Sequence, residues 1–385
     1  MNVLNLINSD VGKNGSIGQR MGYLMKYLDD CPEIRNITIA RHAEPSFRKK
    51  TLCQGFTRFL PKILNVYRIF INNKFQFRDF DIKQFDKFCL RKLIKINRES
   101  SNDTKLLHAW EPCLNSIKYA KKEGYKIVLD VPIAPTIHSK LLDDENLLGE
   151  IEFDLNKLIE KESKIFELVD HFIVPSEFVR GVLQKYDIKQ ESITTVNFGV
   201  ELNKFKFTRK YTESGGVKFC FAGAINRRKG IKYLLEAFDD PVFENDELHL
   251  CGRLFNEQRE LIKKMNLHNL KLPGIINTAD YFRKCDIYVF PSLMEGSSKS
   301  IFEAMASGMP IITTNYSGSI ISNDREGFIV PAGNAKILRQ KMLELKYNLS
   351  LRKKMGEASQ SLVSHYTWGK YARSVVEVYN KIIYT

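Results

Sequence analysis

At 385 residues the chain is too long for one ordinary core and suits two globular domains of roughly 150 to 200 residues each. A hydrophobic share of 43% with 11% aromatics excludes a disordered chain, and seven scattered cysteines, odd in number and without a C-x-x-C pair, exclude a disulfide framework and a thiolate zinc site and fit a reducing cytosol. The net charge of +14 is uneven, since residues 41–100 hold fifteen Lys and Arg against five Asp and Glu.

In chain order, "NVLNLIN" reads as a short apolar strand, "GQRMGYLMKYL" carries apolar residues at helical spacing, and "NITIARH" is strand-like again. The opening "MNVLNLINSDVGKNG" lacks the basic and apolar regions of a signal peptide, and no eighteen-residue window stays apolar, so neither export nor a membrane span is expected. Next comes the basic stretch, in which Phe56, Phe59, Tyr67 and Phe70 alternate with Arg58, Lys62 and Arg68. Two readings stand for it. Residues 46–98 could lie on an anionic membrane surface, each cation contributing about 1 kcal/mol. Alternatively the aromatics pack on the first sheet with the cations outward. No RRM, KH or helix-turn-helix pattern accompanies the stretch, so no nucleic-acid partner is expected.

Alternation resumes with "KLLHAW", the helix-patterned "LNSIKYAKKEG", the strand "YKIVLDVP", a long helical run through "LIEKESKIFELVD", then "HFIVPS" and "SITTVNFG". A second round opens at "VKFCFAG" and passes through "KGIKYLLEAF" to "ELHLCG", "LKLPGII", "DIYVFPS" and "PIITTN". Strands alternating with helices imply parallel sheets covered on both faces. The polar "VELNKFKFTRKYTESGG" between the rounds suits a linker. The expected division is a first doubly wound domain over 1–205, a second over 206–365, and a last helix over 366–385, "YARSVVEVYNKII", packing back on the first.

The stretch "EGSSKSIFEAMASG", residues 295–308, sets Glu295 and Glu303 eight positions apart. On one continuous helix they would project roughly 80° apart. Gly296 and Ser297 break the pattern after the strand, Ser298 suits an N-cap, and helix follows until Gly308, which leaves Glu295 in a loop and Glu303 on the helix. That loop lies at the carboxyl end of a parallel strand, where open α/β sheets bind ligands, and the helix start offers free N–H groups to a diphosphate. A loop carboxylate can bind sugar hydroxyls and a helix carboxylate a ribose diol, each charged hydrogen bond contributing roughly 1.5 to 3 kcal/mol. On spacing alone, two surface glutamates explain the pattern as well.

"FPSLMEGSSKSIFEAMASGMPIITTNYSG", with "FAGAINRRKGIKYLLEAF", "VDHFIVPSEFVRGVL", "VNFGVELNKF" and "GFIVPAGN", resembles the retaining glycosyltransferases of family 4 from about residue 105 onward. The resemblance implies a GT-B fold, two doubly wound Rossmann-like domains facing a central cleft, and an E-x7-E signature in which Glu295 contacts the donor sugar and Glu303 the ribose. It gives Arg228 and Lys229 of "RRKG" the departing diphosphate, a role that suits charge developing on a leaving group. Ser298 and Lys299 extend that phosphate loop beside Gly296 and Ser297. The family often carries an arginine after Gly223, where this chain has Ala224, and Arg227 is a candidate replacement. "GKNGSIGQR" resembles the Gly-rich loop facing the donor phosphates, with Gly15, Ser16 and Gly18 in place, although an ordinary loop reads as well. "HAWEP" resembles the family's H-x-H-E-P strand end with Trp110 for the second histidine; His108 remains, as a catalytic candidate or a structural core histidine. Asp130 and His138 are candidates for the acceptor side.

No carboxylate is an obvious nucleophile, so the expectation is same-face attack with retention, the leaving phosphate helping to deprotonate the acceptor. The resemblance implies a nucleotide-sugar donor, a glycan or lipid-linked acceptor, no metal, and a place in surface polysaccharide synthesis; the cysteines and the missing signal-peptide pattern point to the cytoplasm, and the first reading of the basic stretch would set the enzyme on the inner membrane face. Asp79-Phe80-Asp81 has the spacing that holds manganese in the other large glycosyltransferase fold, but it lies off any clear strand end and reads as a solvated acidic pair. The rivals are a nucleotide-sugar epimerase or hydrolase on the same fold and a non-catalytic basic binding protein.

Overall fold

The computed structural model describes residues 1–13, 17–54, 77–99, 105–145, 147, 154–205, 211 and 216–384. Among them, β1 (Asn2–Val11), β2 (Arg35–Ala43), β3 (Thr51–Cys53), β4 (Lys105–Ala109), β5 (Lys126–Asp130), β6 (His171–Val174) and β7 (Ile193–Thr195) form one sheet in the order β3-β2-β1-β4-β5-β6-β7. A second sheet holds β8 (Lys218–Ala222), β9 (Glu247–Cys251), β10 (Leu270–Gly274), β11 (Ile287–Phe290), β12 (Ile311–Thr314) and β13 (Gly327–Val330), ordered β10-β9-β8-β11-β12-β13. Every pairing is parallel.

Burial on both faces explains the apolar runs. Along β1, Val3 and Ile7 face one core with Met21, Leu24 and Val375, while Leu4 and Leu6 face another with Phe85, Leu93 and Ile117, as the two-residue period of a strand requires. The C-terminal helix Trp368–Tyr384 crosses back to the first domain, as expected, and buries Tyr371, Val375 and Tyr379 at helical spacing. Its start is fixed by a stack of Trp368 on Tyr23, with ring centroids 4.7 Å apart. Gly199 lies beneath it, where a Cβ would come within 2.3 Å of the Trp368 backbone nitrogen.

Part of the basic stretch is a helix, Phe77–Glu99, which sequence reading left unassigned. Phe85, Cys89 and Leu93 are its buried stripe at i, i+4 and i+8, and the Asp86 carboxylate accepts from Asn115 N and Ser116 N, both at 2.9 Å, capping the helix Leu114–Lys122. The long helical run ahead of "HFIVPS" is two helices, Thr136–Asp144 and Leu155–Phe166. Residues 55–76 of the basic stretch and most of the linker lie outside the described residues.

Candidate functional site

Each sheet reverses its strand order once, between β1 and β4 in the first and between β8 and β11 in the second. Such switch points open a crevice beyond the strands' carboxyl ends. Here both crevices meet in one cavity of about 860 Å3. The second domain lines it with Gly223 after β8, Arg253 after β9, Ile276 after β10, and the loop and helix after β11. The first domain contributes Asn8, Gln19, Arg20, Pro132 and Phe198, and the crossing helix adds Trp368.

Glu295 sits in the loop after β11, 8% exposed, and both Arg228 and Lys229 donate to its Oε1. No described residue bonds its Oε2. Arg228 also donates to the carbonyl of Met294 at 2.6 Å. Lys229 is buried with its ammonium 4.6 Å from the Phe290 ring centroid, and burial lowers its pKa while the Glu295 carboxylate acts to raise it. The turn that presents both cations closes on Gly230, whose φ of +69° and missing Cβ matter together: a Cβ would lie 1.9 Å from the Pro291 carbonyl oxygen. A loop carboxylate held by two cations, with one oxygen unbonded by any described residue, can accept from a sugar hydroxyl while Lys229, which lines the cavity, faces a leaving anion.

Ser298 is the N-cap of the helix Lys299–Ala306, with its hydroxyl 3.0 Å from that of Ser300 rather than on the helix backbone. Glu303 lies one turn on, 3.2 Å from the Lys299 ammonium, which also donates to Gln19 Oε1 at 3.1 Å across the cleft. Ser297 lines the cavity, 7% exposed, and its hydroxyl has no hydrogen-bond partner among the described residues. Of the basic residues around Ala224, Arg227 is exposed and does not line the cavity. Arg253 does, stacked 5.1 Å from the Phe255 ring centroid, and sequence reading missed it. The signal was available: "HLCGR" repeats the strand-glycine end of "CFAG" and adds a cation.

The structure gathers Glu295, Lys229, Glu303, Gly223, Ser297, Ser298 and Lys299 on the cavity wall, whereas Arg228 and Gly296 do not line it, Arg228 reaching the site through its bond to Glu295. Gly15 and Ser16 lie outside the described residues. His108 is not brought to the cavity: fully buried, its Nδ1 is 2.7 Å from the Tyr379 hydroxyl and its ring packs 4.8 Å from Trp110, and burial first, then Arg20, hold its pKa well below the usual value. Asp130 is buried in a bidentate pair with Arg20, at 3.0 and 2.6 Å, and burial raises its pKa. The acidic pair at 79–81 is not simply solvated, for Asp81 accepts from Arg41 and from Asn8 at 3.1 Å.

His138 lies on the domain boundary, its Nε2 3.4 Å from the Leu293 carbonyl oxygen. Burial pushes its pKa down to about 4, and burial does the same to His171. A depressed histidine stabilises the fold fully above its unfolded pKa of about 6.5 and loses that contribution as pH falls toward 4. The urea midpoint should therefore fall between pH 6.5 and 4.5. Replacing both histidines by glutamine should flatten that slope, and an unchanged slope in the double variant would disprove the assignment.

Residues 216–348 match the family model of glycosyl transferases group 1. An uncharacterised glycosyltransferase of Methanocaldococcus jannaschii is 29% identical over 218 residues, covering 55% of this chain and 60% of its own length. The capsular polysaccharide biosynthesis glycosyltransferase CapM of Staphylococcus aureus is 28% identical over 197 residues, covering 46% of this chain and 52% of that protein. The chain thus spans little more than half the length of these curated relatives. Among solved structures, Anabaena HepE in complex with UDP-glucose matches with a TM-score of 0.66 at 14% identity, over 99% of this chain and 100% of that one, a likeness of fold. The fold is GT-B, and residues 216–348, within its second domain, are similar to the group 1 glycosyl transferases.

Proposed function

We propose that the protein is a retaining glycosyltransferase of family 4 type that moves a sugar from a nucleotide donor to a hydroxyl of a glycan or lipid-linked acceptor in surface polysaccharide assembly. The observation that carries this reading is the convergence of Glu295, with its two cations, and Glu303, with Lys299, on one cavity of about 860 Å3, within the usual range for a small-molecule site. The names of two similar proteins support its parts: a capsular polysaccharide glycosyltransferase among the relatives, and a structural neighbour holding UDP-glucose.

Glu303 holds the ribose diol and the Oε2 of Glu295 a sugar hydroxyl. As the bond from the anomeric carbon to the phosphate oxygen breaks, negative charge develops on the diphosphate. Arg228, Lys229, Lys299 and the N–H groups opening the helix Lys299–Ala306 stabilise it without a metal. The acceptor hydroxyl attacks the same face and passes its proton to the leaving phosphate oxygen, which retains the anomeric configuration.

Donor binding is tested by thermal shift against UDP-, GDP-, ADP- and CDP-sugars. One donor should raise the melting temperature, and Glu303→Ala should weaken that donor about 10- to 100-fold, the loss of one charged hydrogen-bonding group. A wild type that answers no donor would sink the reading, and a free sugar or epimer as sole product would favour the hydrolase or epimerase alternative.

The acceptor side of the proposal includes an anionic membrane. No helix among the described residues is long and apolar enough to cross one. Lys83, Lys87 and Arg91 are exposed at four-residue spacing along the helix Phe77–Glu99, a basic face suited to peripheral binding. Vesicles with anionic lipid should sediment the protein and neutral ones should not. Reversing the three charges should abolish the difference, and sedimentation independent of lipid charge would exclude this surface.

A further inference from the structure

Four residues of the loop after β11, Leu293 to Gly296, are each touched by the first domain or held by a residue the first domain touches. The Leu293 carbonyl meets His138 at 3.4 Å, and Met294 Sδ meets the Ser139 hydroxyl at 3.5 Å. The Glu295 N–H donates at 3.0 Å to the carbonyl of Tyr316, whose ring lies edge-on to His138 at 4.5 Å and tilted to Phe178 at 5.5 Å. The Gly296 carbonyl accepts from the Ser176 hydroxyl at 2.5 Å. Glycine is needed beside it: a Cβ on Gly296 would stand 1.8 Å from the Pro132 oxygen, and one on Gly318 would stand 2.0 Å from the Gly296 oxygen and 2.8 Å from Ser176 Oγ.

We propose that Ser176 and Tyr316 are positioning residues through which the first domain sets the loop bearing Glu295, so that the carboxylate and its two cations reach working geometry only while the domains are in contact. The consequence for turnover rests on the glycosyl-transfer reading; the grip itself does not. Ser176 is placed to do this because it also caps the helix Glu177–Leu183, accepting from Val179 N at 3.3 Å, so its hydroxyl is fixed by the first domain while it donates to the second. Tyr316 works from the other side, with its carbonyl on Glu295 and its ring against the first domain. Positioning of this kind acts on the chemical step more than on ground-state binding, because a misplacement of about 1 Å in a reacting group can cost on the order of a hundredfold in rate.

The test uses the full chain as wild type, Ser176→Ala, Tyr316→Leu and Tyr316→Phe. Amide exchange read by mass spectrometry should speed up in peptides covering 293–300 in the first two variants and stay at the wild-type rate in Tyr316→Phe, which keeps the ring. Tyr316→Leu leaves the helix cap at Ser176 intact, so a folding defect from the lost cap cannot account for both results. Slow hydrolysis of the cognate nucleotide sugar should show kcat about 10- to 100-fold lower in Ser176→Ala and Tyr316→Leu, with KM and the Kd of the free nucleoside diphosphate within about threefold of wild type. Unchanged exchange at 293–300 would overturn the grip, and faster exchange with unchanged kcat would overturn the positioning role. A wild type that binds none of UDP, GDP, ADP or CDP defeats the glycosyl-transfer reading alone, and the exchange result then decides the grip.

Discussion

Glu295→Gln should lower turnover by at least about a hundredfold, the scale of losing one preorganised electrostatic group at a developing charge, while nucleoside diphosphate affinity changes less than about threefold. On the proposed reading Glu295 meets the donor sugar, whereas Glu303, eight residues on, holds the ribose, so the two effects separate. The substitution also leaves Lys229, with a side chain 10% exposed, without its counter-charge. Stability should fall by about 1 to 3 kcal/mol, less than for deletion of the side chain, because the amide oxygen still accepts a hydrogen bond. A third effect has a definite sign. Burial already lowers the Lys229 pKa and Glu295 opposes it, so without the carboxylate the pKa falls further and the ammonium is lost at a lower pH. The alkaline limb of the kcat profile should move to lower pH in the variant, and a limb that stays in place would mean that Lys229 is not the group titrating there.

The two strand and helix rounds were legible because parallel strands buried on both faces read as continuous apolar runs. The E-x7-E segment was legible because its shape is local: a loop, an N-cap at Ser298 and eight helical residues, all within fourteen positions. What was hidden is long-range. His108 looked available at a strand end, yet Tyr379, 271 residues away, covers it once the C-terminal helix crosses back. The helix Phe77–Glu99 carries a regular buried stripe, but its dense charge drew attention to what the stretch might bind instead of where Phe85, Cys89 and Leu93 would pack. Phe198 gave no local sign of a cleft wall, and Gln19 and Arg20 sat at the end of "GKNGSIGQR" without being singled out, since a wall exists only when two domains face each other. Ser176 caps the helix Glu177–Leu183, and its second bond, to Gly296, spans 120 residues.

Gly296→Ala should open the molecule without unfolding either half. The clash is with the other domain, since the Cβ would lie 1.8 Å from the Pro132 oxygen and 3.0 Å from the Ile133 Cα. The backbone of Gly296 is not in the left-handed region, so alanine adds no conformational strain and slightly restricts the unfolded chain. Gly230 is the contrast, for there φ is +69° and the clash, 1.9 Å to Pro291, lies within the second domain. Gly230→Ala should lower the melting temperature through both strain and clash, at a cost of roughly 1 to 3 kcal/mol or more. Gly296→Ala should leave melting nearly unchanged, raise the radius of gyration seen by small-angle scattering, and cut turnover by about a hundredfold. Its nucleotide affinity should persist, because Glu303, Lys299 and the helix N-terminus belong to the second domain. A compact Gly296→Ala protein with wild-type turnover would mean that the loop yields to the added methyl and that contact with Pro132 does not set Glu295. An expanded protein that still turns over donor at the wild-type rate would mean that the second domain alone performs the donor half of the reaction.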